Sequence, residues 1–107
     1  MMNPLLQLES FGQSIWLDNL SRTLLRDGGL QRLVEQHGIS GVTSNPTIFF
    51  NAISESPYYK AELQRLKAEK RLSAEQRYEA LAIPDIQEAC DLLRPVYEKS
   101  GGNDGYV

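Results

Sequence analysis

Three residues are of the kind that does chemistry at the mouth of an α/β fold: Asp18, Thr43 and Asn45. Asp18 directly follows Gln13-Ser14-Ile15-Trp16-Leu17, an uncharged run with β-branched and aromatic residues that reads as a strand. Thr43 ends a second strand candidate, Ile39 to Thr43, which runs into Thr43-Ser44-Asn45-Pro46-Thr47. In parallel α/β folds, ligands bind beyond the carboxyl ends of the strands. Adjacent parallel strands would therefore place Asp18, Thr43 and Asn45 around one mouth. A carboxylate there could act as general acid or base if burial and neighbours raised its pKa. Thr43 and Asn45 could hydrogen-bond a hydroxylated substrate. Each residue also has a plainer role. Asp18 could cap the helix that follows, and position alone favours that role, because Asp is common at caps. Asn45 could cap a helix opened by Pro46, a role compatible with binding if side chain and backbone share the work.

The remaining candidates read as structural. His37 falls at a helix C-terminus, where partial positive charge is welcome. Cys90 lies on an apolar helical face and reads as a small core residue, and Trp16, inside a strand, reads as core too. The charges from Lys60 to Arg71 read as a solvated helix face. Gly28-Gly29 and Gly101-Gly102 lack the spacing of a phosphate-binding loop. With one cysteine and one histidine, an internal disulfide framework is ruled out and a metal site is not expected.

The elements that must position the three residues follow from local patterns. Asn3 can cap a short first helix that Pro4 opens, with Leu5, Leu6 and Leu8 for apolar contact and Gly12 at its end. After the first strand, Ser21 to Arg26 makes a short helical turn. Leu30, Leu33, Val34 and His37 then mark one face of a helix closed by Gly38. Gly41 weakens the second strand. Ser56-Pro57 starts a further helix with a buried stripe of Tyr59, Leu63 and Leu66, and Ser73 with Gln76 forms a capping box. Pro84-Asp85 with Glu88 restarts the helix, whose long apolar face is Ile86, Ala89, Cys90, Leu93, Val96 and Tyr97, with a kink expected at Pro95. Ser100 to Gly105 is a loop, and Tyr106-Val107 begins another strand.

Alternating strands and helices indicate parallel βα units. Parallel strands want cover on both faces, which three short strands cannot supply for themselves. The chain has 107 residues, against about 250 for a complete (β/α)₈ barrel. It therefore reads as the opening of a larger α/β protein. A net charge of −3 with no basic face argues against a nucleic-acid partner. No apolar run reaches the length of a membrane span, and the first residues lack a signal-peptide pattern, so no membrane partner and a cytoplasmic location are expected.

The two site clusters also carry a resemblance. Ser14-Ile15-Trp16-Leu17-Asp18, Ser21-Arg22 and Gly41-Val42-Thr43-Ser44-Asn45-Pro46-Thr47-Ile48-Phe49 look like transaldolase. The likeness is to the longer bacterial type, including the transaldolase part of fusions with glucose-6-phosphate isomerase. It continues through Ala82-Ile83, Asp85-Ile86, Asp91 to Tyr97 and Gly105-Tyr106-Val107, and so covers nearly the whole chain from Phe11.

The resemblance implies the N-terminal part of a (β/α)₈ TIM barrel over residues 1–107: the first two to three strands, a helix-rich insert, and an incomplete barrel. It implies a pentose phosphate pathway transferase that moves a dihydroxyacetone unit from sedoheptulose 7-phosphate to glyceraldehyde 3-phosphate. The chemistry runs through a lysine Schiff base, with no metal or organic cofactor. By motif, Asp18 resembles the family's acid/base and Thr43 and Asn45 its dihydroxyacetone-holding residues, which reverses the preference for Asp18 as a cap. The family's Schiff-base lysine sits on the fourth strand, so it is not expected in this chain, and the third-strand glutamate and the phosphate-binding arginines would also lie past Val107. Lys60, Lys67, Lys70 and Lys99 lack the apolar strand-end setting that would lower an amine pKa. The chain alone is accordingly expected to be inactive, with sugar phosphates and the rest of the barrel as partners of the parent enzyme. The rival reading is a non-enzymatic, helix-rich interaction or remnant domain. Fructose 6-phosphate aldolase shares the second-strand motif, but the Trp-Leu-Asp strand and the helical insert from Asn51 to Tyr97 argue against it.

Overall fold

The computed structural model describes residues 4–107, apart from the side chains of Leu5 and Glu9. The expected cap at Asn3 and the contact from Leu5 lie outside what is described. Helix α1 spans Pro4–Ser10 and strand β1 spans Ile15–Leu17. Helices α2 (Arg22–Arg26) and α3 (Gly29–His37) lead into strand β2 (Ile39–Val42). Helix α4 (Pro46–Glu55), a single 3-10 turn at Pro57–Tyr59, and helices α5 (Lys60–Ala68) and α6 (Ala74–Lys99) follow.

β1 and β2 pair in parallel, with Trp16 opposite Gly41 and Leu17 opposite Val42, and a register shift between Ile15 and Trp16. Tyr106 forms a single parallel bridge to Gly41 on the other side of β2. There the Val42 N–H donates to the Tyr106 carbonyl at 3.0 Å and the Gly105 N–H to the Ser40 carbonyl at 2.7 Å. β2 is thus flanked on both sides, and all four of its residues are buried, as a parallel strand requires. The expected third strand is present as this one bridge. The sheet is a small, open α/β piece.

Local signals set most boundaries. Gly38 ends α3 in the left-handed conformation (φ 70°), with its N–H on the Leu33 carbonyl. The Ser73–Gln76 capping box forms at 3.1 and 2.9 Å. The restart at Pro84 does not occur. α6 is one helix of 26 residues, with Pro84 and Pro95 both inside it. Proline removes a helical hydrogen bond at each site. The cost is met by burial, because Leu81, Ala82, Asp85, Ala89 and Leu93 form the helix's continuous inner row.

The main core joins Leu20, Leu25, Leu30, Val42, Phe49, Ala82, Ala89 and Leu93. A second cluster of Tyr59, Leu66 and Leu81 lies beneath the insert, so of the expected stripe Tyr59 and Leu66 are buried and Leu63 is half-buried against them. Two expected core residues are not in the core. Trp16 is 41% exposed, because alternation along β1 turns it away from the face on which its half-buried neighbour Leu17 packs against the core. Cys90 is exposed, because the inner row of α6 runs through Ala89 and Leu93 and leaves its neighbour outside. Tyr97 of the same predicted face is also 46% exposed and meets the Tyr106 ring edge-on at 5.7 Å.

Candidate functional site at the strand ends

The site forms where β1 and β2 end. The Thr43 N–H donates to the carbonyl of Leu17, the last residue of β1, at 2.9 Å, extending the ladder one residue past β2. This draws the two following side chains together, and the Thr43 hydroxyl donates to Asp18 Oδ1 at 2.6 Å. Both residues are exposed at the open end of the sheet. A bond from hydroxyl to carboxylate is short and charge-assisted, and it fixes the carboxylate's direction.

The cap of α2 is Ser21, whose Oγ accepts from the Leu24 N–H at 3.2 Å. Asp18 is therefore not spent on that helix. Asn45 does cap α4: its Oδ1 accepts from the N–H groups of Thr47 (2.9 Å) and Ile48 (3.3 Å). The cap uses only the amide oxygen. The NH₂ end, with two donors, is the part that a hydroxylated ligand would meet. Capping and binding are thus compatible within one side chain.

Directly behind the Asp18 loop is a charged cluster that the sequence patterns did not single out. Arg22, 6% exposed, donates from Nε to Asp85 Oδ1 at 2.9 Å and from Nη2 to Glu62 Oε2 at 3.1 Å. Nη2 also reaches the Leu81 carbonyl at 3.1 Å, and Nη1 the Tyr58 carbonyl at 3.3 Å. The guanidinium carbon lies 4.4 Å from the centre of the Tyr59 ring. The Tyr59 hydroxyl donates to Asp85 Oδ2 at 2.5 Å and accepts the Arg22 backbone N–H at 2.7 Å. Asp85 is 1% exposed, and both of its oxygens are satisfied. Burial alone would lower the Arg22 pKa, but the bonds and charges of Asp85 and Glu62 outweigh it and hold the guanidinium firmly protonated. Burial first, then the bond to Asp85, pushes the Tyr59 phenol far above its ordinary range. One sequence signal could have revealed the cluster. Asp85 is the single acid in the four-residue spacing Leu81, Asp85, Ala89, Leu93, and an acid in an apolar row needs a buried cation.

Lys60, Lys67, Lys70 and Lys99 are all exposed, on or next to helices α5 and α6. A cleft of about 340 Å³ opens at the opposite, amino end of β2, lined by Gly38, Ile39, Ser40, Pro95 and Lys99 among others. It does not include Asp18, Thr43 or Asn45. Among the described residues no helix is long and apolar enough to cross a membrane.

Comparison with known proteins addresses the chain as a whole. The family model described as transaldolase/fructose-6-phosphate aldolase matches residues 15–107. A transaldolase of Thiobacillus denitrificans is 58% identical over 106 residues, which are 99% of this chain and 29% of that protein. Transaldolase 2 of a Nostoc species is 48% identical over 106 residues, covering 99% of this chain and 28% of that protein. A transaldolase of Frankia alni is 46% identical over 107 residues, covering 100% of this chain and 29% of that protein. The chain thus spans less than a third of the length of the relatives it matches.

Proposed function

Because this chain belongs to the transaldolase/fructose-6-phosphate aldolase family, we propose that it forms the N-terminal part of a transaldolase whose complete fold is a (β/α)₈ barrel. The whole enzyme transfers a dihydroxyacetone unit from sedoheptulose 7-phosphate to glyceraldehyde 3-phosphate in the cytoplasm. It works through a lysine Schiff base, without metal or organic cofactor. The observation that carries this reading is the 2.6 Å bond from the Thr43 hydroxyl to Asp18 Oδ1 at the carboxyl ends of two paired parallel strands.

In this reading, Asp18 takes the proton from the hydroxyl whose carbon–carbon bond breaks and returns it when the new bond forms. Thr43 holds Oδ1 and so aims Oδ2 at the substrate. Asn45, its oxygen committed to α4, offers its NH₂ group to the hydroxyls of the dihydroxyacetone unit. The nucleophilic amine comes from a strand outside these 107 residues. The four lysines here are exposed and lack the desolvated setting that brings an amine toward reactivity.

Two measurements test the reading. Borohydride trapping with fructose 6-phosphate labels a lysine of the full-length enzyme and leaves the 107-residue chain unlabelled. Replacement Asp18→Asn in the full-length enzyme lowers kcat by about 10²–10⁴-fold, the usual contribution of a positioned acid/base. A covalent adduct on the short chain, or an Asp18→Asn enzyme with wild-type kcat, overturns it.

A further inference from the structure

The two loops that carry Asp18 and Asn45 share one anchor. The Asp18 loop leaves β1 at Leu17 and enters α2 at Arg22. Between them Leu20 is completely buried in the main core. At the far end of the loop the Arg22 N–H is held by the Tyr59 hydroxyl. Asn45 opens α4, and Phe49 of that helix packs in the same core as Leu20. At the far end of α4, Ser56 and Thr23 join hydroxyls at 2.5 Å, and three residues on stands Tyr59. The exit of the Asp18 loop and the exit of the Asn45 helix are therefore fastened to each other through Arg22 and Tyr59. Asp85 closes the triangle from α6, bonding both side chains at once.

A purely stabilising role would not require this arrangement. A buried ion pair is often no better for stability than apolar residues of the same volume. What it does supply is direction: the fork of Arg22 is satisfied only in one orientation, and the Tyr59 hydroxyl must accept from Arg22 and donate to Asp85 at the same time.

We propose that the buried Arg22–Tyr59–Asp85 cluster is a positioning device that sets the distance between the proton-handling carboxylate of Asp18 and the substrate-holding amide of Asn45. None of the three touches substrate. They act through the backbone of residues 18–22 and through helix α4. The inference rests on the proposed function for its kinetic consequence and on geometry alone for its structural one.

The test uses the full-length enzyme and the variants Tyr59→Phe, which removes only the shared hydroxyl, and Arg22→Lys, which keeps charge but not the fork. Val34→Ala, a truncation against the same core but away from the cluster, is the control for lost stability. With far-UV circular dichroism unchanged, Tyr59→Phe and Arg22→Lys lower kcat about tenfold while KM stays within about twofold, as expected for a small misplacement of reacting groups. Val34→Ala melts earlier and keeps its kcat. In threonine-methyl NMR the Thr43 resonance moves in Tyr59→Phe and stays in place in Val34→Ala. A Thr43 methyl unmoved by Tyr59→Phe overturns the inference, as does an equal loss of kcat in Val34→Ala. A wild-type enzyme with no transaldolase activity overturns the functional reading instead, and the methyl resonance then decides the positioning role by itself.

Discussion

The indole of Trp16 lies against the β2 backbone at Gly41, its partner in the parallel register, so closely that a Cβ at position 41 would come within 2.4 Å of Trp16 Cε2. As a strand residue, Gly41 reads as a weakness, since it adds no side chain to pack. In the structure it is the condition for the β1–β2 pairing that brings Asp18 beside Thr43. The clash is with the ring's rigid bicyclic centre, so relief requires the whole indole to shift off the strand. Gly41→Ala is therefore expected to cost about 1–3 kcal/mol, the range for overpacking a well-filled site. In a Trp16→Ala background the same change costs much less. Urea denaturation of the four combinations measures the coupling directly, and additive costs would show that the two residues do not constrain each other.

The buried cluster predicts an order of severity. Asp85 is 1% exposed and answers both Arg22 and Tyr59, whereas the Glu62 side chain is 36% exposed and answers only Arg22. Asp85→Ala leaves a buried guanidinium without its main counter-charge, and a cost of about 3–5 kcal/mol is expected. Glu62→Ala removes a partly solvated pair, worth about 1 kcal/mol or less. Removing both charges together, as Arg22→Met with Asp85→Leu, costs less than the sum of the single changes. Denaturation midpoints for these variants test the order, and equal costs for Asp85→Ala and Glu62→Ala would contradict it.

How much of this was legible beforehand depended on the range of the signal. The Asn45-Pro46 start of α4, the Gly38 stop and the Ser73–Gln76 box are all written within a few residues, and the structure places them as read, while the strands are shorter than read, Ile15–Leu17 and Ile39–Val42. Helix α6 running through Pro84 was not legible, because what overrides the proline is the burial of Leu81, Asp85 and Ala89 against other elements. Arg22 and Asp85 are 63 positions apart, and neither residue type announces burial by itself. Trp16 and Cys90 read as core from their chemistry, but strand alternation and helix pitch turn both outward. The meeting of Asp18 with Thr43 was thus readable, and the buried cluster around Arg22 was not.

Alkaline pH should loosen the protein through Tyr59. Its phenol is held above the ordinary value of 10.0 by burial and by its bond to Asp85. The folded chain keeps a proton that the unfolded chain releases, so this contribution to stability is complete below pH 10.0 and is lost as the pH rises beyond it. The loss approaches about 1.4 kcal/mol per pH unit from this residue. Tyr78, raised by burial, and Tyr58, raised chiefly by its bond to Asp27, act in the same direction. Urea midpoints on either side of that value should fall more steeply for the wild type than for Tyr59→Phe. Identical slopes would mean that Tyr59 does not hold its proton on folding.

Asn45 allows the capping and binding roles to be separated by chemistry. Asn45→Ala takes the acceptor from the N–H groups of Thr47 and Ile48 and should cost about 1 kcal/mol of stability. Asn45→Asp keeps an acceptor at the start of α4, where negative charge is favoured, and stability should stay within about 0.5 kcal/mol of the wild type. Neither variant retains the NH₂ donors. If those donors hold the dihydroxyacetone unit, both variants lose turnover in the full-length enzyme by a similar factor, about tenfold or more, although only one has lost its cap. Thermal melts and steady-state kinetics on the same preparations make the comparison. An Asn45→Asp enzyme with wild-type kcat/KM would show that the residue serves α4 alone and that the hydroxyls of the substrate are held elsewhere.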